Sequence, residues 1–140
     1  MFKFAHISDI HLGPLPKLSI RELMSKRITG FINWYRNRRK HLFVNTLDLL
    51  LSDLKTRHPD QLFITGDLAN LATTIETRLA REWLDTIGNP EDTTVVPGNH
   101  DAYVPGAHDK SVAAWYPFIR SDGDPGEWPN DDAPFDALEE

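Results

Sequence analysis

The sequence predicts an α/β fold in which mainly parallel strands are joined by crossover helices. Three short runs, 2–7, 62–64 and 93–96, are rich in β-branched or aromatic residues, as strands are. Segments with apolar residues at helical spacing lie between these runs. Such alternation is typical of parallel sheets whose strands are connected by right-handed crossovers. A cluster of polar residues comes directly after each run.

The first strand, Phe2 to Ile7, leads into a proline-containing loop and then a helix. Ser19 followed by Glu22 three positions later is the capping-box pattern that opens a helix. The basic segment from Trp34 to Lys40 is interpreted as a solvated helix end. Contact with nucleic acid or anionic lipid, and steering of a phosphorylated substrate, are the alternatives.

The middle of the chain alternates helix, strand and helix. Apolar residues at i, i+4, i+7, i+8 and i+11 from Phe43 to Leu54 predict a second helix, which ends before Pro59. After the strand at 62–64, apolar residues recur at every fourth position from Ile75 to Ile87 and predict a third helix, which stops at Gly88.

The last part of the chain changes character after one more strand and one more helix. The strand at 93–96 ends at Pro97, and a short helix is expected from Ser111 to Ile119. Residues 121–140 contain glycines, prolines and many acids, which predicts an acidic loop or disordered tail. We therefore expect residues 1–120 to form the N-terminal part of a domain.

Composition excludes several classes of protein. The 140 residues suit one domain, and 40% hydrophobic with 26% charged residues is a globular balance. Without cysteine there are no disulfides, thiolate nucleophiles or Cys-ligated zinc, so His, Asp and Asn remain as metal ligands. No run is long enough to span a membrane, and the N-terminus lacks an apolar leader, so a cytoplasmic protein is expected.

The three polar clusters carry metal-binding residue types. Asp9 and His11 are two positions apart, so on extended backbone their side chains point the same way and reach one ion. Asp67 can give one carboxylate oxygen to each of two ions, and Asn99 offers an amide oxygen to the second. A carboxylate with an imidazole suits Mn, Fe, Zn or Ni. Two ions about 3.5 to 4 Å apart can activate water for attack on phosphorus.

The order of these motifs resembles the N-terminal signature of the calcineurin-like metallophosphoesterases. Residues 9–11, 66–70 and 98–101 match the family patterns Asp-x-His, Gly-Asp-x-x-Asn and Gly-Asn-His-Asp, within a resemblance that extends from residue 3 to about residue 104. The resemblance implies half of an α/β/β/α sandwich. The roles that it implies are metal 1 for Asp9 and His11, a bridge for Asp67, metal 2 for Asn99, catalysis for His100 and orientation of that histidine for Asp101.

The sequence also departs from the family pattern. The Gly-His-x-His segment that completes both metal sites in the family is absent, so metal 2 is expected to be incomplete. His108 is the candidate for a substitute ligand. The resemblance further implies a sheet face without its partner, which a missing C-terminal half or oligomerisation would cover.

The function that this resemblance implies is metal-dependent hydrolysis of phosphoric esters by a metal-bridging hydroxide. The expected cofactors are two divalent ions (Mn, Fe, Zn or Mg), and the expected substrate is a phosphorylated small molecule or nucleotide. Because ligands are missing, a truncated form with impaired activity is expected. The alternative is a non-catalytic metal-binding or interaction module derived from the family.

Overall fold

The computed structural model describes residues 1–15, 28, 31–32 and 44–120. Ranges 1–15 and 44–120 contain strands β1 (Phe4–Ile7), β2 (Gln61–Thr65) and β3 (Thr93–Val96), and helices α1 (Val44–Arg57), α2 (Thr74–Ile87) and α3 (Ala107–Ile119). The predicted α/β class is therefore confirmed. Residues 28 and 31–32, in the region of the helix expected after Ser19, are helical, and the rest of that expected helix, the basic segment from Trp34 to Lys40 and the tail at 121–140 lie outside the described residues.

The described strands form one parallel sheet in the order β1-β2-β3. Its register aligns Ile7 with Ile64 and Ile64 with Val95, so the three strands end at the same edge. β1 begins at Phe4 rather than at the predicted Phe2. Before Phe4, the Lys3 N–H donates to the Asp60 carboxylate, and the Lys3 carbonyl accepts from the Asp60 and Gln61 N–H groups.

Two helices, α2 and α3, pack on one face of this sheet. The buried face of the strands meets Leu84 of α2 and Trp115 and Phe118 of α3. The Trp115 indole N–H donates to the Thr77 carbonyl at 2.9 Å, and the Arg81 guanidinium donates to the Ala114 carbonyl at 2.9 Å. The core thus fixes α2 and α3 relative to each other and to the strands that carry the polar motifs.

The opposite face of the sheet exposes apolar side chains. Phe4 is 69% exposed, Phe63 39% and Val96 56%. The rings of Phe4 and Phe63 meet edge to face with centroids 6.1 Å apart. An apolar patch of the kind expected on an uncovered sheet face is therefore present, and what covers it stays a prediction.

The last helix, α3, begins at Ala107, four positions before the predicted Ser111. Its first turn includes the exposed His108 and Asp109, which carry no apolar periodicity for a sequence pattern to detect. Gly106 precedes it with a left-handed φ of 77°. None of the described helices is long and apolar enough to cross a membrane.

Candidate metal centre

The loops that follow the three strands meet at the carboxyl edge of the sheet. Beyond the last paired residues of β1 and β2, backbone N–H groups of Asp9, His11 and Leu12 donate to carbonyls of Gly66, Asp67 and Leu68 at 3.2, 2.9 and 2.8 Å. The two chains therefore stay side by side as they leave the sheet. This contact places His11 next to Asp67, as the convergence of strand ends predicts.

Two glycines allow the loops after β2 and β3 to touch. Gly66 has a φ of 72°, and a Cβ on it would overlap the backbone of Gly98. A Cβ on Gly98 would in turn overlap the backbone nitrogen and carboxylate of Asp67. Because no side chain fits at either position, the glycines bring Asp67 against the segment that carries His100.

Asp101 joins the same two loops from inside. It has no exposed surface, and its carboxylate accepts from the N–H groups of Asp67, Ala69 and Gly98 at 2.7, 2.8 and 2.8 Å. Burial raises the pKa of the Asp101 carboxyl, while these backbone N–H groups oppose that rise. The Ser111 hydroxyl donates to the Asp101 carbonyl at 3.1 Å, which ties the site to α3.

Among the described residues, the possible metal-ligand atoms of His11, Asp67 and His100 lie within 4.8 Å of one another. Asp67 is buried and the two histidines are half-buried. The Asp67 carboxylate accepts from the His100 backbone N–H at 2.8 Å, and the two imidazole rings meet edge to face at 4.9 Å. Two imidazoles and one carboxylate form a donor set that fits Zn, Fe or Mn.

Both imidazole rings are oriented by backbone carbonyls. His11 Nδ1 lies 3.1 Å from the Ala69 carbonyl oxygen, and His100 Nδ1 lies 2.9 Å from the Asn70 carbonyl oxygen. A carbonyl can only accept, so Nδ1 carries the proton in both rings and Nε2 presents the lone pair. Fixing the tautomer in this way is what metal-binding histidines require.

Glu76 is the residue of this site that the sequence analysis missed. It is 5% exposed and stands in the first turn of α2, where its carboxylate accepts from the N–H groups of Asn70, Leu71 and Thr73 and from the Thr73 hydroxyl. Thr73 and Glu76 form a capping box, a pattern visible in the sequence. The sequence signal for Glu76 is its position three residues after Thr73, which matches the capping-box pattern.

The other predicted ligands lie at the margin of the site. Asp9 and Asn99 are exposed, and Asp9 does not belong to the cluster of His11, Asp67 and His100. His100, for which the resemblance implies a catalytic role, has its side chain in the cluster with His11 and Asp67. His108, the candidate substitute, is exposed, and its ring lies 3.5 Å from the Asp109 carboxylate.

Asp101 was expected to orient His100. Its carboxylate instead bonds to three backbone N–H groups in the loops, while His100 Nδ1 bonds to the Asn70 carbonyl. These contacts connect Asp101 to His100 through Asp67. The Asp101 carboxylate accepts from the Asp67 backbone N–H, and the Asp67 carboxylate accepts from the His100 backbone N–H.

Backbone strain is concentrated at this edge of the sheet. Four non-glycine residues around the site have positive φ angles: Asp9 at 54°, His11 at 46°, Asp67 at 55° and Ala72 at 53°. Such angles are uncommon outside glycine and persist where the surrounding contacts impose them, which happens most often at functional sites.

These features define an α/β protein with a cluster of two imidazoles and one carboxylate, able to hold a metal ion, at the carboxyl edge of its parallel sheet. Residues 2–139 match the sequence model of the family described as calcineurin-like phosphoesterase. The chain belongs to this family, and the resemblance drawn from its motifs is confirmed. Comparisons with curated proteins and with solved structures gave no match.

Proposed function

We propose that this chain hydrolyses phosphoric esters, as a monoesterase or a diesterase, with divalent metal held at its cluster of His11, Asp67 and His100. The observation that carries the proposal is the convergence of these side chains within 4.8 Å in a member of a phosphoesterase family. Two imidazoles favour Mn, Fe or Zn over Mg, which prefers oxygen ligands. When bound, such ions supply a Lewis acid and activate water for attack on phosphorus.

Several residues would hold the metal, and each would contribute in a different way. His11 presents Nε2 because its Nδ1–H is engaged by the Ala69 carbonyl. Asp67 is held at its backbone nitrogen by the Asp101 carboxylate and at Oδ1 by the His100 N–H, and its carboxylate would be the ligand shared by two ions. Asp9 and Asn99, both exposed, are the proposed outer ligands of metal 1 and metal 2. We propose that the second site is incomplete.

His100 has two candidate roles that one variant separates. It either ligates metal through Nε2 or, when protonated there, donates that proton to the leaving oxygen. We expect His100→Ala to slow an alkyl phosphate ester more than an aryl ester if it donates a proton, because the aryl leaving group needs little protonation. An equal slowing of both esters, together with weaker metal binding, would assign His100 to the metal instead.

The test of hydrolysis compares two conservative variants. Asp67→Asn keeps the volume of the side chain but removes the bridging charge, whereas Asp48→Asn makes the same change on the exposed surface of α1. With Mn²⁺ present, we expect the rate on generic phosphate monoesters and diesters to fall at least about 100-fold in the first variant, a loss near 2.7 kcal/mol of transition-state stabilisation. The Asp48→Asn rate should match the wild type. Equal rates in all three proteins would contradict the proposal.

A second candidate function is a metal-binding module without catalysis. It is favoured by the exposed positions of Asp9 and Asn99, which leave His11, Asp67 and His100 as the convergent set among the described residues. Calorimetric titration with Mn²⁺ separates the two functions when it is combined with the hydrolysis assay. One tight site without turnover supports the module, and turnover that rises with metal occupancy supports the hydrolase.

A further inference from the structure

Glu76 is a buried carboxylate whose contacts exceed the needs of a helix cap. A capping box requires Glu76 to accept from the N–H of Thr73, which it does at 3.0 Å. The same carboxylate also accepts from Asn70 N–H at 2.9 Å and from Leu71 N–H at 3.2 Å, both in the loop that precedes the cap. These two additional bonds have no part in starting α2.

The two additional bonds are made to the peptide units whose carbonyls hold the histidines. Asn70 N–H and the Ala69 carbonyl belong to one peptide unit, and that carbonyl lies 3.1 Å from His11 Nδ1. Leu71 N–H and the Asn70 carbonyl belong to the next unit, and that carbonyl lies 2.9 Å from His100 Nδ1. Both units are trans and planar, so their N–H and C=O groups point in opposite directions.

We infer that Glu76 is a positioning residue that orients and polarises both histidines of the metal centre through two consecutive peptide units. This inference deepens the proposed function and rests on it for its catalytic consequence. A negative charge at the N–H end of a peptide makes its carbonyl a stronger acceptor, since hydrogen bonds in a chain polarise one another. A metal-binding imidazole commonly donates a hydrogen bond to a carboxylate. Here the Glu76 carboxylate supports each imidazole through one intervening peptide unit.

The arrangement fixes geometry as well as charge. The side-chain amide of Asn70 donates to the Leu12 carbonyl at 3.0 Å, so the loop after β2 is also hydrogen-bonded to the loop after β1. Ala72 closes the segment with a positive φ of 53°. Glu76 holds this segment in place by accepting from the N–H groups of Asn70, Leu71 and Thr73.

The first measurement uses the wild-type, metal-free protein. Nitrogen-15 NMR of its histidine rings, at a pH where imidazoles are neutral, should show His11 and His100 with the proton on Nδ1. The exposed ring of His58 serves as the internal reference. A proton on Nε2 in both His11 and His100 would overturn the inference without any variant.

The second measurement compares Glu76→Gln with Thr73→Ala. Glu76→Gln keeps the size of the side chain but removes the charge and places an amide NH₂ against N–H donors. Thr73→Ala removes the cap hydroxyl and leaves the bonds from Glu76 to Asn70 and Leu71. We expect Glu76→Gln to mix the tautomers of both rings and to weaken Zn²⁺ binding by about 10- to 100-fold. Thr73→Ala should lower the melting temperature yet change Zn²⁺ affinity by less than twofold.

The outcomes separate this inference from the proposed hydrolysis. Unchanged tautomers and Zn²⁺ affinity in Glu76→Gln would overturn the inference, and so would equal losses of affinity in the two variants. If the wild type binds Zn²⁺ as expected but hydrolyses no ester, the proposed function fails while the positioning role of Glu76 stands. Should Glu76→Gln not fold, a proton on Nε2 of both rings in the wild type would still overturn the inference.

Discussion

The loop after β2 and the loops after β1 and β3 contribute to the same centre in different ways. Residues 66–73 are buried throughout, and two carboxylates from elsewhere in the fold, Asp101 and Glu76, accept from their N–H groups. The neighbouring loops instead carry the exposed Asp9 and Asn99. The loop after β2 is therefore the structural base of the site, and the other two loops bring His11 and His100 to the cluster and carry Asp9 and Asn99 on the exposed surface.

The difference teaches where the site can tolerate change. Substitutions in the β2 loop act on folding and on ligand geometry together, because its hydrogen bonds serve both. At the exposed Asp9 and Asn99, the proposed outer ligands, we expect substitutions to act on metal binding alone. The four predictions below test this contrast, beginning with the largest expected effect.

Gly66→Ala should be the most damaging of these changes. The substitution places a Cβ on the backbone of Gly98 and strains a φ of 72°, so we expect a loss of at least about 4 kcal/mol in the free energy of unfolding. Gly106→Ala is the matched control, because its φ of 77° is equally strained but its Cβ meets nothing within 4 Å. That control should lose only about 1 to 2 kcal/mol in urea denaturation. Equal losses would show that the contact between the two loops is unimportant.

Asp101→Asn should come next. The amide replaces an acceptor of three backbone N–H groups by a group that is itself partly a donor, so buried N–H groups lose their partners. We expect a loss of about 2 to 3 kcal/mol at pH 7. Asp92→Asn changes an exposed aspartate that also accepts from backbone, at Asn89 N–H, and should lose less than about 1 kcal/mol. A loss at Asp101 no larger than this would count against its role in the base of the site.

The pH dependence of stability gives a smaller effect with a definite sign. Burial raises the native pKa of Asp101 above its usual value of 3.8, so the native state binds the proton more tightly than the unfolded state. The stabilisation from this proton is complete below pH 3.8 and is lost as the pH rises through the native pKa. The stability of the wild type minus that of Asp101→Asn, from urea curves without metal, should therefore fall as the pH increases above 3.8. A difference that rises over this range would refute the assigned direction.

Asp9→Asn should have the smallest effect on stability. Asp9 is exposed with a φ of 54°, an angle that Asn tolerates as well as Asp, so the free energy of unfolding should change by less than about 0.5 kcal/mol. If Asp9 is an outer ligand of metal 1, Mn²⁺ affinity measured by calorimetry falls at least about tenfold, or 1.4 kcal/mol. A Mn²⁺ affinity of Asp9→Asn within twofold of the wild type would show that Asp9 is not a ligand and would assign binding to His11, Asp67 and His100.

Sequence patterns predicted the strands and helices of the described part because short β-rich runs and helical spacing are local signals. They also predicted His11 and Asp67 as neighbours, since the ends of parallel strands meet. Sequence patterns could not predict the contacts of Glu76 and Asp101. These contacts depend on which backbone N–H groups of the folded loop point towards a buried carboxylate. The same limit applies to the positive φ of Asp9 and His11, for which neither residue type gives a strong local signal.

The domain boundary at residue 120 stays a prediction, as do the composition of the second metal site and the partner of the exposed sheet face. Phe4, Phe63 and Val96 lie together on that face, and their exposure is a property of the described chain alone. The match to the family model continues to residue 139.

The backbone pairing that continues past β1 and β2 has a thermodynamic consequence. Because His11 and Leu12 are bonded to Asp67 and Leu68 through their main chains, the spacing of the ligands is set when the sheet forms. If His11 and Asp67 bind metal as proposed, an incoming ion would order little of the chain at these two residues, so the conformational entropy of placing them would be lost during folding and not during binding. Metal removal should accordingly leave the sheet intact, in contrast to small zinc domains that unfold without their ion.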